Sequence, residues 1–318
     1  MFCSCGAVRK RISMGIGLAV WGWVMAAPAQ WSNILTDDFN DAAPWSYAGV
    51  QNGASQNLFS VQSGAVSAEW DAGYGLDPND AATIQTSVLA RPLGLALTDA
   101  DAFRVRVSAA LGQVKPNTAE AGYQLASFGL FNPALMGQNR TYIDPDGDWV
   151  ADDVSRNLVE FNYFLYNYFG GSNVQPNIFS DDRTHAYGGN ATALGVATLP
   201  LGPTLYLELE YDPLSRTAVA RVFEDEGYTQ LMTLGGKTME EFSAIPLDAG
   251  RAFSVTHVGF FNYQAVDWFT GEPLSDVGGS GSFDRLAVDV IPEPGRLALA
   301  VMGGAAFALA RARRRAGV

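Results

Sequence analysis

The sequence has almost no cysteine and almost no histidine. Its two cysteines, Cys3 and Cys5, lie at the amino end, so the rest of the chain offers no thiol for a disulfide, for cysteine catalysis or for a thiolate metal site. The two histidines, His185 and His257, lie far apart in the chain, and a zinc site or a histidine-based triad needs more such residues. The folded part must therefore be stable through its hydrophobic core, alone or with a bound metal.

Sequence motifs of nucleotide-binding and hydrolytic enzymes are also missing. We find no Walker loop, dinucleotide fingerprint or nucleophile elbow, and no repeat with the period of a solenoid or propeller. Basic residues are few, with 20 against 33 acidic residues and a net charge of −13. Such an acidic surface repels nucleic acid and anionic lipid headgroups, and it suits cations or neutral sugars. Solubility is the alternative explanation of the charge.

The amino end has three consecutive parts that are typical of an exported protein. A basic trio at residues 9–11 is followed by an apolar run over residues 14–25, and the small residues Ala27 and Ala29 come next. This order predicts a Sec-type signal peptide over residues 1–29, which signal peptidase cuts after Ala29. The alternative is a first transmembrane helix, but the apolar run is short for the ~20 residues that a span needs.

The carboxyl end also has three parts in order. Pro292, Glu293 and Pro294 come first, and residues 297–310 form an apolar run. A basic cluster closes the chain and consists of Arg311, Arg313, Arg314 and Arg315. An apolar helix followed by arginines is typical of a stop-transfer segment whose basic end stays in the cytoplasm. The prolines mark the end of the preceding domain because they cannot continue a helix.

This tail resembles the PEP-CTERM sorting domain of exopolysaccharide-producing Gram-negative bacteria. The resemblance covers residues 291–318, with Arg296 as a departure before the helix. It implies transient anchoring in the inner membrane and processing by an exosortase-type enzyme. The domain would then reach the cell envelope, the cell surface or the extracellular matrix. A plain C-terminal anchor is the alternative, although the apolar run is short for a span.

Residues 30–290 alternate between apolar and polar side chains with a period of two. Residues 103–108 place three apolar side chains on one face and two arginines on the other. Residues 205–211 place three leucines inward, and we expect Glu208 and Glu210 in solvent. Further strand candidates are residues 58–63, 65–70, 82–89, 123–131, 158–166, 217–223, 255–263 and 283–290.

About ten such strands without βαβ alternation predict an all-β fold, a two-sheet antiparallel sandwich formed by residues 30–290. Turn residues separate the strands, among them Gly278-Gly-Ser-Gly281. Several phrases, including Asp37-Asp38-Phe39, residues 64–70, residues 128–132 and residues 281–290, are similar to jelly-roll domains of the concanavalin A-like lectin/glucanase type. The resemblance implies paired first and last strands and sugar binding on the concave face or rim. A β-sandwich without a ligand has the same alternation.

An aspartate-rich stretch is the clearest metal-site candidate. Asp144, Asp146, Asp148 and Asp152 have the spacing of a calcium loop, in which the backbone carbonyl of Val150 supplies a further oxygen. The stretch lacks the glycine and the closing bidentate acid of that loop. It therefore predicts a Ca²⁺ site, with an acidic surface loop as the alternative.

The candidate sugar-binding residues lie on one strand and in two loops. Glucanase-type strands carry alternating acids, but here Glu160 is followed by Asn162 and Phe164, so the second carboxylate of two-acid hydrolysis is missing. Glu160 and Asn162 suit sugar hydroxyls, or form an ordinary polar strand face or the surroundings of a calcium ion. Trp149 and Trp268, set among acids in predicted loops, are candidates for stacking on sugar rings.

These observations favour a non-enzymatic surface or matrix protein that is stabilised by calcium and binds exopolysaccharide. A ligand-free structural or adhesive envelope protein is the first alternative. A diverged glycoside hydrolase or lyase is the second.

Overall fold

The computed structural model describes residues 30–48, 58–73, 86–115, 122–135, 156–166, 171–182, 185–187, 198–234, 237–238, 244–263, 274 and 277–291. Several predicted features lie outside these residues: the signal peptide with Ala27 and Ala29, the calcium loop from Asp144 to Asp152, Trp149, Trp268, and the sorting tail from Pro292 onward. In the part of the chain that is described, no helix is long and apolar enough to cross a membrane.

The described residues form 17 strands and a single short 3-10 helix at Pro133–Leu135. In chain order the strands are β1 (Ser32–Asp37), β2 (Ser46–Ala48), β3 (Phe59–Gln62), β4 (Ala65–Asp71), β5 (Thr86–Thr98), β6 (Ala102–Lys115), β7 (Gly122–Phe131), β8 (Leu158–Tyr166), β9 (Gly171–Phe179), β10 (His185–Tyr187), β11 (Thr204–Asp212), β12 (Thr217–Phe223), β13 (Thr233–Leu234), β14 (Lys237–Thr238), β15 (Ala244–Pro246), β16 (Ser254–Tyr263) and β17 (Gly278–Ile291).

Most of these strands belong to two large antiparallel sheets. The eight-stranded sheet has the order β15-β12-β11-β6-β17-β4-β3, and β1 also pairs with β17. The seven-stranded sheet has the order β10-β9-β8-β7-β16-β5-β2, and β13 pairs with β14 in a separate ribbon. The predicted all-β, two-sheet antiparallel architecture is confirmed. The first and last strands pair as the resemblance implied, with Ser32 opposite Val290 and Asp37 opposite Leu286.

The two large sheets pack face to face around one hydrophobic core. The alternation of β6 buries Phe103, Val105 and Val107 in a cluster that includes residues of both sheets. Phe260 of β16 stacks on Phe283 of β17, with ring centroids 4.3 Å apart. Burial of such apolar surface, worth ~25 cal/mol per Å², is the main force that holds the sheets together.

Glu208 is the clearest correction to the predicted exposure of side chains. It was expected in solvent, but it is only 3% exposed. Its carboxylate accepts hydrogen bonds from Arg106 at 2.6 Å and from Arg221 at 2.9 Å, and Arg221 also donates to Glu210 at 2.8 Å. The Arg106 guanidinium lies 4.4 Å from the centroid of the Tyr228 ring. Glu208 does lie on the predicted outer face of β11. The predicted exposure of its side chain was wrong, because side chains of neighbouring strands cover the carboxylate.

The same contacts change the acidity of one arginine. Burial lowers the pKa of Arg221, but the carboxylates of Glu210 and Glu208 raise it by more, so this pKa lies above its ordinary value. The outer face of the eight-stranded sheet therefore carries a partly buried network of charges.

Several strand assignments also differ from the prediction, among them the following three. Strand β9 was not predicted, and it pairs Pro176 with Phe161. Strand β5 was predicted over residues 82–89, and it continues to Thr98. Gly278 was predicted in a turn, but it begins β17, where it pairs with Asp71 of β4. Only glycine fits there, because the carbonyl oxygen of Trp70 would lie 2.1 Å from any added Cβ.

Candidate functional site

The outer face of the seven-stranded sheet carries a row of buried polar side chains. Strand β8 has two faces, because Val159 and Phe161 enter the core between the sheets while Glu160 and Asn162 point to the opposite side. The other polar side chains on this side are also at most 6% exposed. One of them, Tyr263, is hydrogen-bonded to Glu160. We call this row the polar strip, and it consists of Ser127, Glu160, Asn162, Asn173, Gln175, Asn177 and Tyr263.

The register of β8 and β9 sets the amides of the strip beside the residues of β8. Asn177 lies opposite Glu160, and Gln175 lies opposite Asn162. Asn173 follows two positions further along the same face, since alternate residues of a strand share a face. Facing residues of antiparallel strands have Cβ atoms about 4.5–5.5 Å apart, so the amides and the carboxylate are within hydrogen-bonding reach.

Both carboxylate oxygens of Glu160 accept hydrogen bonds. Asn177 Nδ2 donates to Oε1 at 3.2 Å, and the hydroxyl of Tyr263 donates to Oε2. Burial of a carboxylate is costly unless it is hydrogen-bonded, and these two donors offset part of that cost. Gly129 lies opposite Glu160 on the other side, where an added Cβ would be 2.9 Å from the Cβ of Glu160. A side chain at residue 129 would therefore displace the carboxylate.

A bulge in β7 orients Asn162. The pairing of β7 with β8 shifts register between Leu125 and Phe128, and Ala126 in this bulge has a positive φ of 49°. The neighbouring residue, Ser127, donates from Oγ to Asn162 Oδ1 at 2.5 Å. This bond sets the orientation of the Asn162 amide: Oδ1 faces the Ser127 hydroxyl, and Nδ2 faces away from it.

Three buried atoms of the strip have no hydrogen-bond partner among the atoms of the structure. They are Asn162 Nδ2, Asn173 Nδ2 and Asn177 Oδ1. Each unsatisfied buried group costs about 1–3 kcal/mol, and folded proteins seldom keep such a group without a water or ligand partner. Two donors and one acceptor in one row match hydroxyl groups, which both donate and accept.

Aromatic side chains lie on the same face as the strip. A second hydrophobic cluster on this side comprises Val88, Ala90, Phe131, Leu158, Phe179, Phe261 and Tyr263. The rings of Phe261 and Tyr263 are stacked with centroids 5.9 Å apart and an interplanar angle of 8°. The ring of Phe131 meets Phe261 edge-on at 5.4 Å. The strip therefore combines amide groups with an apolar aromatic wall.

Of the predicted site residues, the structure describes Glu160 and Asn162 and places them on one face, as the alternation predicted. The predicted calcium ligands, the two tryptophans and the sorting residues lie outside the described part of the chain. Among the residues that are described, no group of three or more His, Cys, Asp or Glu side chains could hold a metal ion.

The amides of β9 and the hydroxyl of Tyr263 were not among the site residues predicted from the sequence. The sequence of β9 does alternate: Asn173, Gln175 and Asn177 are polar, and the residues between and beside them include Val174 and Ile178. Both of these are buried in the core. That pattern has the period of a strand with one polar face. For Tyr263 no local signal exists, since its contact with Glu160 depends on how distant strands pair.

Comparisons with known proteins find similarity only among solved structures. No protein-family model matches the chain, and no curated protein matches it. Peanut lectin with a nine-residue peptide has a TM-score of 0.42 and 12% identity, over 82% of this chain and 98% of that chain. The Emp47p carbohydrate recognition domain has a TM-score of 0.41 and 10% identity, over 83% of this chain and 98% of that chain. Winged bean acidic lectin with methyl-α-D-galactose has a TM-score of 0.40 and 12% identity, over 82% of this chain and 98% of that chain. Similarity at this level is a likeness of overall shape and says nothing about the ligand of this chain.

Proposed function

We propose that this chain is an exported, non-enzymatic protein of the cell envelope, surface or matrix that binds polysaccharide through the polar strip. The observation that carries the proposal is the set of unpartnered buried atoms, Asn162 Nδ2, Asn173 Nδ2 and Asn177 Oδ1, beside the hydrogen-bonded carboxylate of Glu160. Export and processing by an exosortase-type enzyme are supported by the signal-peptide and tail patterns of the sequence.

Sugar hydroxyls can supply the hydrogen-bond partners that the three unpartnered amide atoms of the strip lack. A sugar hydroxyl accepts a hydrogen bond from an amide Nδ2 and donates one to an amide Oδ1, so a pair of hydroxyls on one ring would satisfy Asn162 and Asn177 together. The C–H face of the same ring packs well on aromatic side chains, which Phe261 and Tyr263 supply. The excess of acidic residues in the chain also favours a neutral ligand.

The burial of the strip affects how fast a ligand binds. Glu160 and Asn162 have no exposed surface, so a sugar that contacts them must first gain access to the outer face of the sheet. Association that requires a conformational change is slower than the ~10⁵–10⁷ M⁻¹s⁻¹ that is typical of docking. We therefore expect slow association with glycans.

Two finer features belong to the same proposal. The fold is of the concanavalin A-like jelly-roll type, which is supported by the two large antiparallel sheets and by the pairing of β1 with β17. Calcium binds at Asp144, Asp146, Asp148, Asp152 and the carbonyl of Val150, which is supported by their spacing. Extracellular sites of this kind bind Ca²⁺ with Kd values of about 10⁻⁴–10⁻³ M.

A glycan array tests the proposal. The protein should bind at least one neutral glycan, and Asn162→Ala should weaken that binding at least about tenfold because one hydroxyl contact is lost. Gln62→Ala serves as the control, since Gln62 is exposed on β3 of the other sheet. Folded protein that binds no glycan, or equal binding by both variants, would contradict the proposal. Turnover of soluble polysaccharides on the same samples would instead support a hydrolase or lyase.

A further inference from the structure

We infer that the turn between β11 and β12, with Leu214 at its tip, is a surface of the folded domain that docks on the membrane enzyme that processes the tail. The inference rests on the proposed function, which includes that processing. It adds that the enzyme contacts the folded domain as well as the tail, and it names the part of the domain that is contacted.

The strand register brings this turn and the start of the tail to the same end of the eight-stranded sheet. Tyr211 of β11 lies opposite Phe103 of β6, and Phe103 lies opposite Val290 of β17. Neighbouring strands are about 4.8 Å apart, so β11 ends about 10 Å from the end of β17. Pro292, the first residue of the Pro-Glu-Pro motif, follows directly after β17.

A short connection keeps this end of the domain close to the apolar run of the tail. Only residues 292–296 separate β17 from the apolar run over residues 297–310. Five residues span at most about 18 Å even when fully extended. An enzyme that lies in the membrane and acts on this tail is therefore close to the β11–β12 turn.

The turn presents a large apolar side chain on a rigid support. Leu214 is 95% exposed, more than any other large apolar residue that the structure describes. The carboxylate of Asp212 accepts a hydrogen bond from the Leu214 N–H at 3.0 Å, which fixes the turn. Arg216 fastens the turn to neighbouring loops, because it donates to the Asp99 carboxylate at 2.8 Å and to the Asp248 backbone oxygen at 3.2 Å. A side chain on such a support is preorganised for binding.

Other exposed leucines lie towards the same end. Leu95 is 41% exposed in an irregular stretch near the end of β5, and Leu135 is 40% exposed in the 3-10 helix after β7. Both strands end there, since they pair with the first half of β16. Of the exposed leucines that are described, only Leu201 lies at the opposite end, beside Leu111 in the second half of β6. Exposed apolar residues thus concentrate where the tail begins.

The charge around Leu214 favours a protein partner over the lipid surface. Residues 98–102, 212–216 and 248–251 together contain four aspartates and two arginines. Both arginines are paired with aspartates, Arg216 with Asp99 and Arg251 with Asp182. An excess of acid repels anionic lipid headgroups and complements basic groups on a protein. The partner surface that fits is an apolar pocket for Leu214 with a basic rim.

The experiment follows the conversion of the full-length precursor to the form without its arginine cluster, in the cells that produce it. Leu214→Ser should slow this conversion at least about tenfold, because burial of a leucine side chain in the docked state is lost. Leu214→Met keeps an apolar side chain of similar volume and should convert at nearly the unaltered rate. The melting temperature of both variants should be unchanged, since Leu214 is exposed.

The matched control is Leu201→Ser, which removes an exposed leucine at the opposite end and should leave the rate of conversion unchanged. Equal rates for Leu214→Ser and the unaltered precursor, or equal slowing by Leu201→Ser, would overturn the inference and leave processing of the tail standing. An unaltered precursor that keeps its arginine cluster would overturn the proposed processing and the inference with it.

A lipid arm tests whether the turn contacts the membrane instead of the enzyme. The processed protein is mixed with vesicles of phosphatidylethanolamine and phosphatidylglycerol and sedimented. It should stay in solution, as should its Leu214→Ser variant, because the acidic surface is repelled by the anionic lipid. Sedimentation of the unaltered protein that Leu214→Ser abolishes would assign the turn to the lipid surface and overturn the inference.

Discussion

Replacement of Glu208 by alanine removes the carboxylate that joins two arginines on the outer face of the eight-stranded sheet. Glu208 accepts one hydrogen bond from Arg106 and one from Arg221, and bonds of this charged type contribute about 1.5–3 kcal/mol each. The two arginine side chains are 23% and 17% exposed, so water compensates part of the loss. Arg221 also keeps Glu210 as a partner. We expect the variant to lose about 2–4 kcal/mol of unfolding free energy.

Urea denaturation followed by tryptophan fluorescence measures this loss. The midpoint should fall with an unchanged m-value, since the variant exposes the same surface on unfolding. The melting temperature should fall by roughly 4–16 °C, at about 2–4 °C per kcal/mol for a domain of this size.

The matched control is Glu226→Ala, which breaks the ion pair of Glu226 with Arg285. Both side chains of that pair are exposed, at 65% and 60%, so the change should be within about 0.5 kcal/mol. Equal destabilisation by Glu208→Ala and Glu226→Ala would refute the reasoning, because it would show that the buried network contributes no more than a surface pair.

Four other predictions follow from the sequence and the structure. Gly129→Ala should destabilise the protein by several kcal/mol in the same urea assay, because its Cβ would lie 2.2 Å from a backbone oxygen of β8. Burial raises the pKa of Tyr211 to about 12, so stability should fall as pH rises from about 10 to 12, and Tyr211→Phe should make this fall shallower. Calcium at tenfold excess over Kd should add about 1.4 kcal/mol to the unfolding free energy, and a protein with Asp146→Ala and Asp148→Ala should lose this gain. Mass spectrometry of native protein should find Gln30 at the amino end and no arginine cluster at the carboxyl end; an intact tail outside the inner membrane would rule out sorting.

The period of two was sufficient to predict the faces of β6, β8 and β11. Apolar and polar residues alternate over part of each of these strands, and burial of one face then determines the orientation of the side chains there. Strand β9 escaped prediction because glycine, asparagine and proline are depleted in strands. Strand β9 is held in an extended conformation by its pairing with β8. The local sequence of β9 gives no information about that pairing.

The candidate site was predictable only in part, for the same reason. Glu160 and Asn162 share a face by alternation, and this much follows from the sequence of β8. Asn177 contacts Glu160 because of the register between β9 and β8. Tyr263 contacts Glu160 from β16, which lies two strands away from β8 in the sheet. Pairing between strands that are distant in sequence is set by the whole fold, so these contacts required the structure.

The most direct test of sugar binding by the polar strip is a crystal structure of the protein with a neutral oligosaccharide that binds it in solution. We predict a sugar hydroxyl oxygen about 2.7–3.2 Å from Asn162 Nδ2 and another at the same distance from Asn177 Oδ1. A sugar bound elsewhere, with ordered water molecules alone against these two atoms, would contradict it.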